Sequence, residues 1–163
     1  MPVEHEHKYL LDDRVKLDVA LAADQVIDTK IITQFYFGRD NDRSLTQRCR
    51  KVLTYSGAEY YITHKLGRGE KVQEVEYQVN ADIYEEMHDF FKIGESIEKC
   101  RIVIKIDNLV WELDEFEGGL VMLELENPPE RYKVPELFGK HRNVTGNFKY
   151  TNYYMAMNGY PGQ

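Results

Sequence analysis

The sequence predicts a mainly β protein, α+β by content, that forms one domain over residues 1–163. Three observations support this prediction. The length of 163 residues is that of a single domain, and a hydrophobic content of 42% is enough for a buried core. About eight stretches alternate between apolar and polar residues, as half-buried strands do. Short turns join most of these stretches, which indicates antiparallel neighbours in either a barrel or a sandwich.

The first half of the chain is predicted to contain five strands and one helix. Residues 3–11 alternate and form the first strand, and residues 12–24 carry valine and leucine at helical spacing after two candidate N-cap residues. Further strands are expected at residues 31–37, 44–53, 59–66 and 72–79. Residues 67–70 (GRGE) have the composition of a hairpin turn and lack the spacing of a nucleotide-binding phosphate loop.

The second half is predicted to contain a three-stranded meander and three helical regions. Residues 81–92 carry apolar side chains on one side of a helix. Prolines within residues 127–140 indicate a loop with a short helix, and residues 144–158 lead from a loop into a C-terminal helix. The meander strands are expected at residues 98–106, 109–116 and 120–126.

Charged residues recur at every second position in several predicted strands, so they share one face of each strand. The opposite face is apolar, as at Trp111 and Leu113. The charged faces are also sorted by sign. Acidic faces carry Glu4 and Glu6, Glu74 and Glu76, Glu112 and Asp114, and Glu124 and Glu126, whereas basic faces carry Arg48 and Arg50, Lys65, and Lys99 and Arg101, with Lys8 following the first acidic pair.

An ordinary sheet with its charged face in water explains any one of these strands. It explains the sorting less well, because two like charges about 4 Å apart cost on the order of 4 kcal/mol at an effective dielectric constant near 20. A concave site in which bound ions compensate both sets explains the sorting better. Carboxylate clusters favour Mg²⁺ or Mn²⁺, and clustered Arg and Lys favour a polyanion. The sequence therefore predicts a site for a metal-bound polyphosphate, with the apolar faces turned outward under the helices.

Composition argues against other functional classes. The 21 basic and 28 acidic residues give a net charge of −7, which argues against binding nucleic acid through a basic face. No apolar stretch approaches the roughly 20 residues of a membrane-spanning helix, and the N-terminus has no signal-peptide pattern, so no membrane partner is expected. Cys49 and Cys100 are far apart in the sequence and fit a protein of the reducing cytoplasm.

The N-terminal sequence EHEHKYLL contains an ExExK motif, and in this it resembles the CYTH domain of the triphosphate tunnel metalloenzymes. The resemblance spans nearly the whole chain, from Val3 to about Asn158. The later motifs follow in the order of that family: QFYF, LTQRCR, YYITHK, QEVEY, EKCR, VWELDEFEG, LELE and VTGNFKYTN.

The resemblance implies an eight-stranded closed antiparallel β-barrel that forms a tunnel, with flanking helices and a small-molecule triphosphate inside. It implies a metal-dependent triphosphatase that uses Mg²⁺ or Mn²⁺, with inorganic tripolyphosphate as the expected substrate. Matched to the motifs of the family, the implied metal ligands are Glu4, Glu6, Asp114, Glu124 and Glu126, and Glu74, Glu76 and Glu112 are implied as metal ligands or supporting residues. The implied phosphate-binding residues are Lys8, Arg48, Arg50, Lys65, Lys99, Arg101 and Lys149. Lys8 and Tyr36 are the pair implied in activating water.

The chain departs from the family pattern at two positions near the C-terminus. Asn143 stands where the family has an acid before Val-Thr, and Lys149 stands where it has arginine, which keeps the charge and loses the forked geometry. Both departures bear on the choice of substrate.

Two other functions remain open. One is a class IV adenylate cyclase that converts ATP to cyclic AMP and diphosphate, and the other is a non-catalytic module that binds polyphosphate or nucleotide. A homodimer also remains open.

Overall fold

Ten antiparallel strands form one sheet in the computed structural model of the chain, which describes residues 3–12, 23–38, 44–68 and 71–162. Two helices pack against the sheet, α1 (Ala81–Phe91) and α2 (Asn152–Asn158). The strands are β1 (Val3–Glu4), β2 (Glu6–Leu11), β3 (Val26–Phe37), β4 (Leu45–Thr54), β5 (Gly57–Arg68), β6 (Lys71–Val79), β7 (Lys92–Ile106), β8 (Leu109–Phe116), β9 (Val121–Glu126) and β10 (His141–Asn143). This confirms a mainly β, antiparallel protein with flanking helices.

The N-terminal segment contacts strands from both ends of the sheet. The strand order is β1-β6-β5-β4-β3-β7-β8-β9-β2-β10. Only His5 separates β1 from β2, yet β1 pairs with β6 and β2 pairs with β9. The intervening strands must therefore curve so that β6 and β9 both reach the N-terminal segment.

The prediction of eight strands is wrong, because the structure has ten. The first predicted strand divides at His5 as its two parts pair with different neighbours. The tenth strand, β10, lies between two segments that lack a strand pattern, and it exists because it pairs with the free edge of β2. The hydrogen bonds of the sheet do not run round a complete ring, since the order begins at β1 and ends at β10.

The outer face of the sheet, opposite to Lys8 and Arg101, is apolar and covered by other parts of the chain. Trp111, Leu113 and Leu123 are fully buried beneath residues 127–140, which contribute Phe138. Elsewhere α1 covers a second apolar cluster of Phe35, Cys49 and Ile62 through its own Tyr84. The prediction that the apolar faces turn outward under other elements is confirmed.

The inner face combines buried charges with an apolar end. Lys8, Arg48, Lys99, Arg101, Asp114 and Glu124 are all buried on this face. At one end of it Tyr36, Ile97, Phe116 and Met122 pack against α2. The inner face is therefore not charged throughout, and α2 covers its apolar end.

Strand β7 begins earlier than the sequence predicts, at Lys92 rather than at residue 98. Glycine and polar residues in this stretch have low β propensity, but pairing of Ile93 with Tyr36 on β3 overrides that preference. Gly94 has φ +63°, and a Cβ atom there would lie 2.5 Å from the carbonyl oxygen of Ala156. Glycine at this position lets α2 approach the sheet closely.

The helices agree only partly with the sequence prediction. Asn80 caps α1 by accepting a 2.9 Å hydrogen bond from the backbone nitrogen of Ile83. The predicted helix over residues 12–24 falls mainly on residues 13–22, which lie outside the described residues. None of the helices in the described ranges has the length and apolar character needed to cross a membrane.

Candidate active site

Lys8 lies among acidic side chains of β2 and β9. It stands directly opposite Glu124 in the strand register, and Glu6 stands opposite Glu126. The Lys8 Nζ atom is 3.2 Å from Glu124 Oε1 and 3.8 Å from Glu6 Oε1. Burial alone would lower the pKa of Lys8, but the carboxylates of Glu124 and Glu6 outweigh burial and raise it well above its ordinary value. Lys8 is therefore a buried cation held by two carboxylates.

Arg101 and Asp114 form a buried, two-pronged ion pair between β7 and β8. Arg101 Nε donates to Asp114 Oδ1 at 2.7 Å, and Nη2 donates to Oδ2 at 2.8 Å. Arg101 also contacts Glu112 and lies 3.5 Å from Glu124 Oε2. Burial would raise the pKa of Asp114, but Lys99 and Arg101 hold it well below its usual range. Asp114 therefore carries a full negative charge that these two cations neutralise.

Lys99 is an internal residue that does not reach solvent. Its side chain is 1% exposed, and its Nζ donates to Asp114 Oδ2 at 2.7 Å and to Asn152 Oδ1 at 3.4 Å. The same Nζ lies 5.3 Å from the centre of the Phe116 ring. Burial is the largest influence and lowers the pKa of Lys99, while the attraction of Asp114 opposes this and favours the charged form.

Arg48 and Arg50 carry positive charge that the described residues only partly compensate. Both Nε and Nη2 of Arg50 donate to Gln34 Oε1, at 3.0 and 2.8 Å, and no carboxylate within the described ranges pairs with this guanidinium. Burial, followed by repulsion from Arg48 and Arg101, lowers the pKa of Arg50 to about 9. Arg48 Nη2 lies 3.8 Å from Glu76, while its Nε is buried and finds no hydrogen-bond partner in the described part of the chain. An additional anion beside these residues would offset the repulsion on Arg50 and supply an acceptor for Arg48 Nε.

Strands β5 and β6 add a less buried pair of contacts. Lys65 Nζ lies 3.6 Å from Glu74 Oε2, and Thr63 Oγ1 donates to Glu76 Oε2 at 2.7 Å. Glu76 is thus held by Thr63 and lies within ion-pair distance of Arg48. These two acids accompany the basic residues of β4 and β5.

A cavity of about 490 Å³ opens beside these groups. Among the described residues, three cations line it, Lys8, Arg48 and Lys65, together with one carboxylate, Glu6. The other lining residues are Tyr36, Thr46, Thr63, Gly67, Val72, Val144, Thr145, Gly146, Asn147, Phe148, Thr151, Asn152 and Tyr153. The surplus of positive charge suits the cavity to an anion.

Residues 144–148 and 151–153 form one wall of the cavity, and this segment holds Lys8 in place. Val144 N donates to Lys8 O at 2.9 Å, which continues the pairing of β10 with β2 by one residue. The Thr145 hydroxyl then accepts from Lys8 N at 2.9 Å and donates to Lys8 O at 3.3 Å. After Gly146, which has φ +75°, the chain turns across the cavity, and Tyr150 O accepts from Lys8 Nζ at 3.3 Å.

The acids near Lys8 have the chemistry, but not a preformed cage, for a divalent cation. Glu6, Glu124 and Glu126 occupy neighbouring inner positions of β2 and β9, and oxygen is the ligand that Mg²⁺ and Mn²⁺ prefer. Within the described ranges, no three acidic, histidine or cysteine side chains are grouped closely enough to hold a metal ion by themselves. Mg²⁺ commonly binds through one or two carboxylates, with phosphate oxygens and water completing the shell.

Comparison with characterised proteins identifies a relative. The chain is 30% identical over 132 residues to an inorganic triphosphatase from Acetivibrio thermocellus, a match that covers 78% of this chain and 80% of the relative. The chain belongs to the family of that inorganic triphosphatase. A comparison with models of known protein families gives no match.

Solved structures at lower identity share the architecture of this chain. PH1819 from Pyrococcus horikoshii OT3 has a TM-score of 0.62 at 22% identity and covers 78% of this chain and 79% of its own. The putative adenylyl cyclase HpAC1 from Hippeastrum, described as having a dominant triphosphatase activity, has a TM-score of 0.61 at 18% identity over 77% and 80% of the two chains. A putative adenylate cyclase from Vibrio parahaemolyticus has a TM-score of 0.56 at 11% identity over 79% and 78%. At these identities the likeness shows a shared fold.

In this member of the triphosphatase family, the residues singled out in the sequence divide into three groups. Lys8, Tyr36, Arg48, Lys65 and Glu6 line the cavity. A second group forms the buried network behind it or contacts it: Arg50, Lys99, Arg101, Glu112, Asp114 and Glu124.

The third group, Glu4, Glu74, Glu76, Glu126 and Lys149, belongs neither to the cavity wall nor to the buried network as described. Glu126 and Lys149 are exposed, and neither lines the cavity. Glu74 and Glu76 pair with Lys65 and Arg48. Glu4 lies in β1 opposite Val72, and its side chain is outside the described part.

Four neutral residues of the site were not singled out for a role in the sequence. Gln34 holds Arg50, Thr63 holds Glu76, Thr145 holds Lys8, and Asn152 contacts Lys99. A search for charged pairs does not detect neutral side chains. Gln34 and Thr63 carried a usable signal, because each shares its strand face with a site residue at a spacing of two, Gln34 with Tyr36 and Thr63 with Lys65.

Proposed function

We propose that this chain hydrolyses the terminal phosphoanhydride bond of a triphosphate, with inorganic tripolyphosphate as substrate. The observation that carries the proposal is the set of three cations, Lys8, Arg48 and Lys65, in the wall of one cavity. The buried and unpartnered Nε of Arg48 strengthens it, because a phosphate oxygen would supply the missing acceptor. Membership of the family of an inorganic triphosphatase supports the same reaction.

We further propose that the reaction depends on Mg²⁺ or Mn²⁺. Glu6, Glu124 and Glu126 would hold the ion, with Glu4 and Asp114 as further candidates from the CYTH resemblance. When bound, such an ion supplies neutralisation of phosphate charge and a lowered pKa of water. The use of Asp114 is the least supported of these assignments, because its two oxygens already accept from Lys99 and Arg101.

The residues of the chain itself bind and orient the phosphates. Phosphoryl transfer requires alignment and charge stabilisation more than covalent assistance. Arg48 and Lys65 would hold the phosphate oxygens from the β4–β5 side, while Lys8 would do so from β2. Tyr36 lies in the same cavity wall as Lys8, and its hydroxyl accepts from Gln34 Nε2 at 3.4 Å. The Lys8–Tyr36 pair would therefore orient the attacking water and the phosphate that it attacks.

The proposed site also implies a tunnel-like enclosure of the CYTH type. The N-terminal segment pairs with β6 through β1 and with β9 through β2, so it joins the two ends of the curved sheet. An enclosed site of this form excludes water and strengthens every contact between the basic residues and the substrate.

The proposal is tested by incubating the purified chain with tripolyphosphate, thiamine triphosphate or ATP, each with Mg²⁺, with Mn²⁺ or with EDTA. We expect orthophosphate and diphosphate from tripolyphosphate, only in the presence of metal. Cyclic AMP from ATP as the main product would instead show a cyclase. Binding of tripolyphosphate without turnover under every condition would show a binding module and refute the hydrolase.

A further inference from the structure

Asn152 occupies an intermediate position between the buried network and the cavity. Its Oδ1 atom accepts a 3.4 Å hydrogen bond from Lys99 Nζ, and the residue also lines the cavity. Lys99 itself is 1% exposed and is not part of the cavity wall. Asn152 therefore links the buried Lys99 to the cavity wall.

The contact with Lys99 orients the side-chain amide of Asn152. A lysine ammonium group is a donor only, so the atom turned toward it is the amide oxygen. The amide nitrogen, Nδ2, carries two donor hydrogens and lies in the carboxamide plane with Oδ1, about 120° from it around Cγ. Within the described part of the chain, no protein acceptor pairs with Nδ2. The oxygen is therefore anchored while the donor end remains available to a ligand.

We propose that Asn152 binds the substrate directly, by donating a hydrogen bond from Nδ2 to a phosphate oxygen in the cavity. This inference rests on the proposed function and adds a neutral donor to the three cations. Lys99 acts through Asn152 as a positioning residue, because it holds the oxygen and thereby orients the nitrogen. This arrangement explains how a buried lysine that cannot contact the substrate still serves phosphate binding.

Two substitutions at one position separate this role from a structural one. Asn152→Asp keeps the shape and the oxygen that accepts from Lys99, but it removes the donor and adds a negative charge that faces a polyanion. Asn152→Ala removes both the acceptor and the donor without adding charge. If Asn152 only anchored Lys99, which does not line the cavity, Asn152→Ala would lower stability and leave tripolyphosphate binding within about twofold of the wild type. If Asn152 binds phosphate, Asn152→Ala weakens binding and Asn152→Asp weakens it further.

The matched control is Asn158→Asp. Asn158 is the last residue of the same helix, is exposed, and donates only to Tyr154 O in the described part of the chain. The substitution adds the same charge to the same helix away from the cavity wall. It therefore measures the general effect of an added negative charge on anion binding.

The experiment measures tripolyphosphate binding by titration calorimetry in EDTA, and kcat and KM in Mg²⁺, for the wild type and the three variants. We expect Asn152→Ala to weaken binding and raise KM about tenfold with little change in kcat, as for loss of one hydrogen bond to a charged group. We expect Asn152→Asp to weaken binding about a hundredfold, and Asn158→Asp to stay within about twofold of the wild type.

The outcomes distinguish this inference from the proposed function. Binding by Asn152→Asp that equals the wild type or exceeds that of Asn152→Ala would overturn the inference, even if the wild type hydrolyses tripolyphosphate. A wild type that binds tripolyphosphate without hydrolysing it, with the expected order among the variants, would overturn the hydrolase and support the role of Asn152. A wild type that does not bind tripolyphosphate would overturn both.

Discussion

Replacing Asp114 with asparagine tests whether this carboxylate serves mainly as the counter-ion of two buried cations. Asparagine has nearly the same shape as aspartate and removes only the charge. Lys99 and Arg101 would then remain buried, with Glu112 and Glu124 as their nearest acids. We expect the variant to be markedly less stable than the wild type.

The magnitude follows from the burial and the contacts of Asp114. Its side chain is 0% exposed and accepts three hydrogen bonds of 2.7 to 2.8 Å from two cations. Removing one partner of such a buried ion pair costs about 3–5 kcal/mol. For a chain of this length, that loss lowers the melting temperature by about 6–20 °C.

The assay is equilibrium unfolding in urea, followed by circular dichroism, in the presence of EDTA. At an m-value of about 2 kcal/mol/M, the midpoint should fall by about 1.5–2.5 M. The matched control is Asp28→Asn, which breaks an exposed pair with Lys30 at 3.5 Å. We expect the control to change stability by less than about 1 kcal/mol.

A midpoint for Asp114→Asn equal to that of the control would refute the reasoning. An increase in stability of the metal-free protein would be still more informative. It would mean that Asp114 is repelled by neighbouring acids, as a metal ligand would be in the absence of metal, rather than held by Lys99 and Arg101.

Three further predictions concern reactivity, positioning and turnover. Burial raises the pKa of Cys49 to about 12, so the thiolate fraction at pH 8 is on the order of 10⁻⁴. In a Cys100→Ser variant, Ellman's reagent should therefore react with the remaining thiol only after urea is added. Rapid reaction in the native protein would contradict this. Thr145→Val removes both hydrogen bonds to the backbone of Lys8 and should lower stability by about 1–2 kcal/mol and kcat severalfold. Thr145→Ser keeps the hydroxyl and should restore both the stability and kcat. A valine variant with wild-type kcat would exclude the positioning role. Lys8→Ala and Glu6→Ala should each abolish orthophosphate release from tripolyphosphate while circular dichroism shows a folded chain, and full activity in either variant would remove that residue from the site.

The hairpin between β7 and β8 shows how much of the site was accessible from the sequence. Asp107 and Asn108 have φ of 49° and 65° and form a two-residue turn, which pairs Ile106 with Leu109. Counting outward by five residues from that pair gives the position of Arg101 opposite Asp114. The central ion pair was therefore predictable from turn chemistry and alternation alone.

The explanation first given for the sorting of charges by sign needs correction in the same light. Bound ions are predicted to compensate each like-charged strand. In the structure much of the compensation comes from the neighbouring strand, as with Lys8 opposite Glu124 and Lys65 opposite Glu74. The described residues leave Arg48 and Arg50 incompletely paired, while Lys8 and Lys65, although paired, still line the cavity.

Long-range placement is what the sequence could not supply. Nothing local to Thr145 or Asn152 indicates that they meet Lys8 and Lys99, since those contacts span 137 and 53 residues. The division of the first strand at His5 likewise depends on two partners far along the chain. Such contacts are set by how the sheet curves and by where α2 packs, not by the alternation of any one segment.

The pairing of the N-terminal segment with both β6 and β9 has a consequence for folding during synthesis on the ribosome. Glu6 precedes its partner Glu126 by 120 residues, and Lys8 precedes its partner Glu124 by 116. Their pairing must wait until β9 has emerged, and contacts of such high sequence separation form slowly. Throughout the synthesis of β3 to β8, the growing chain therefore carries Glu6 and Lys8 without their partners in β9.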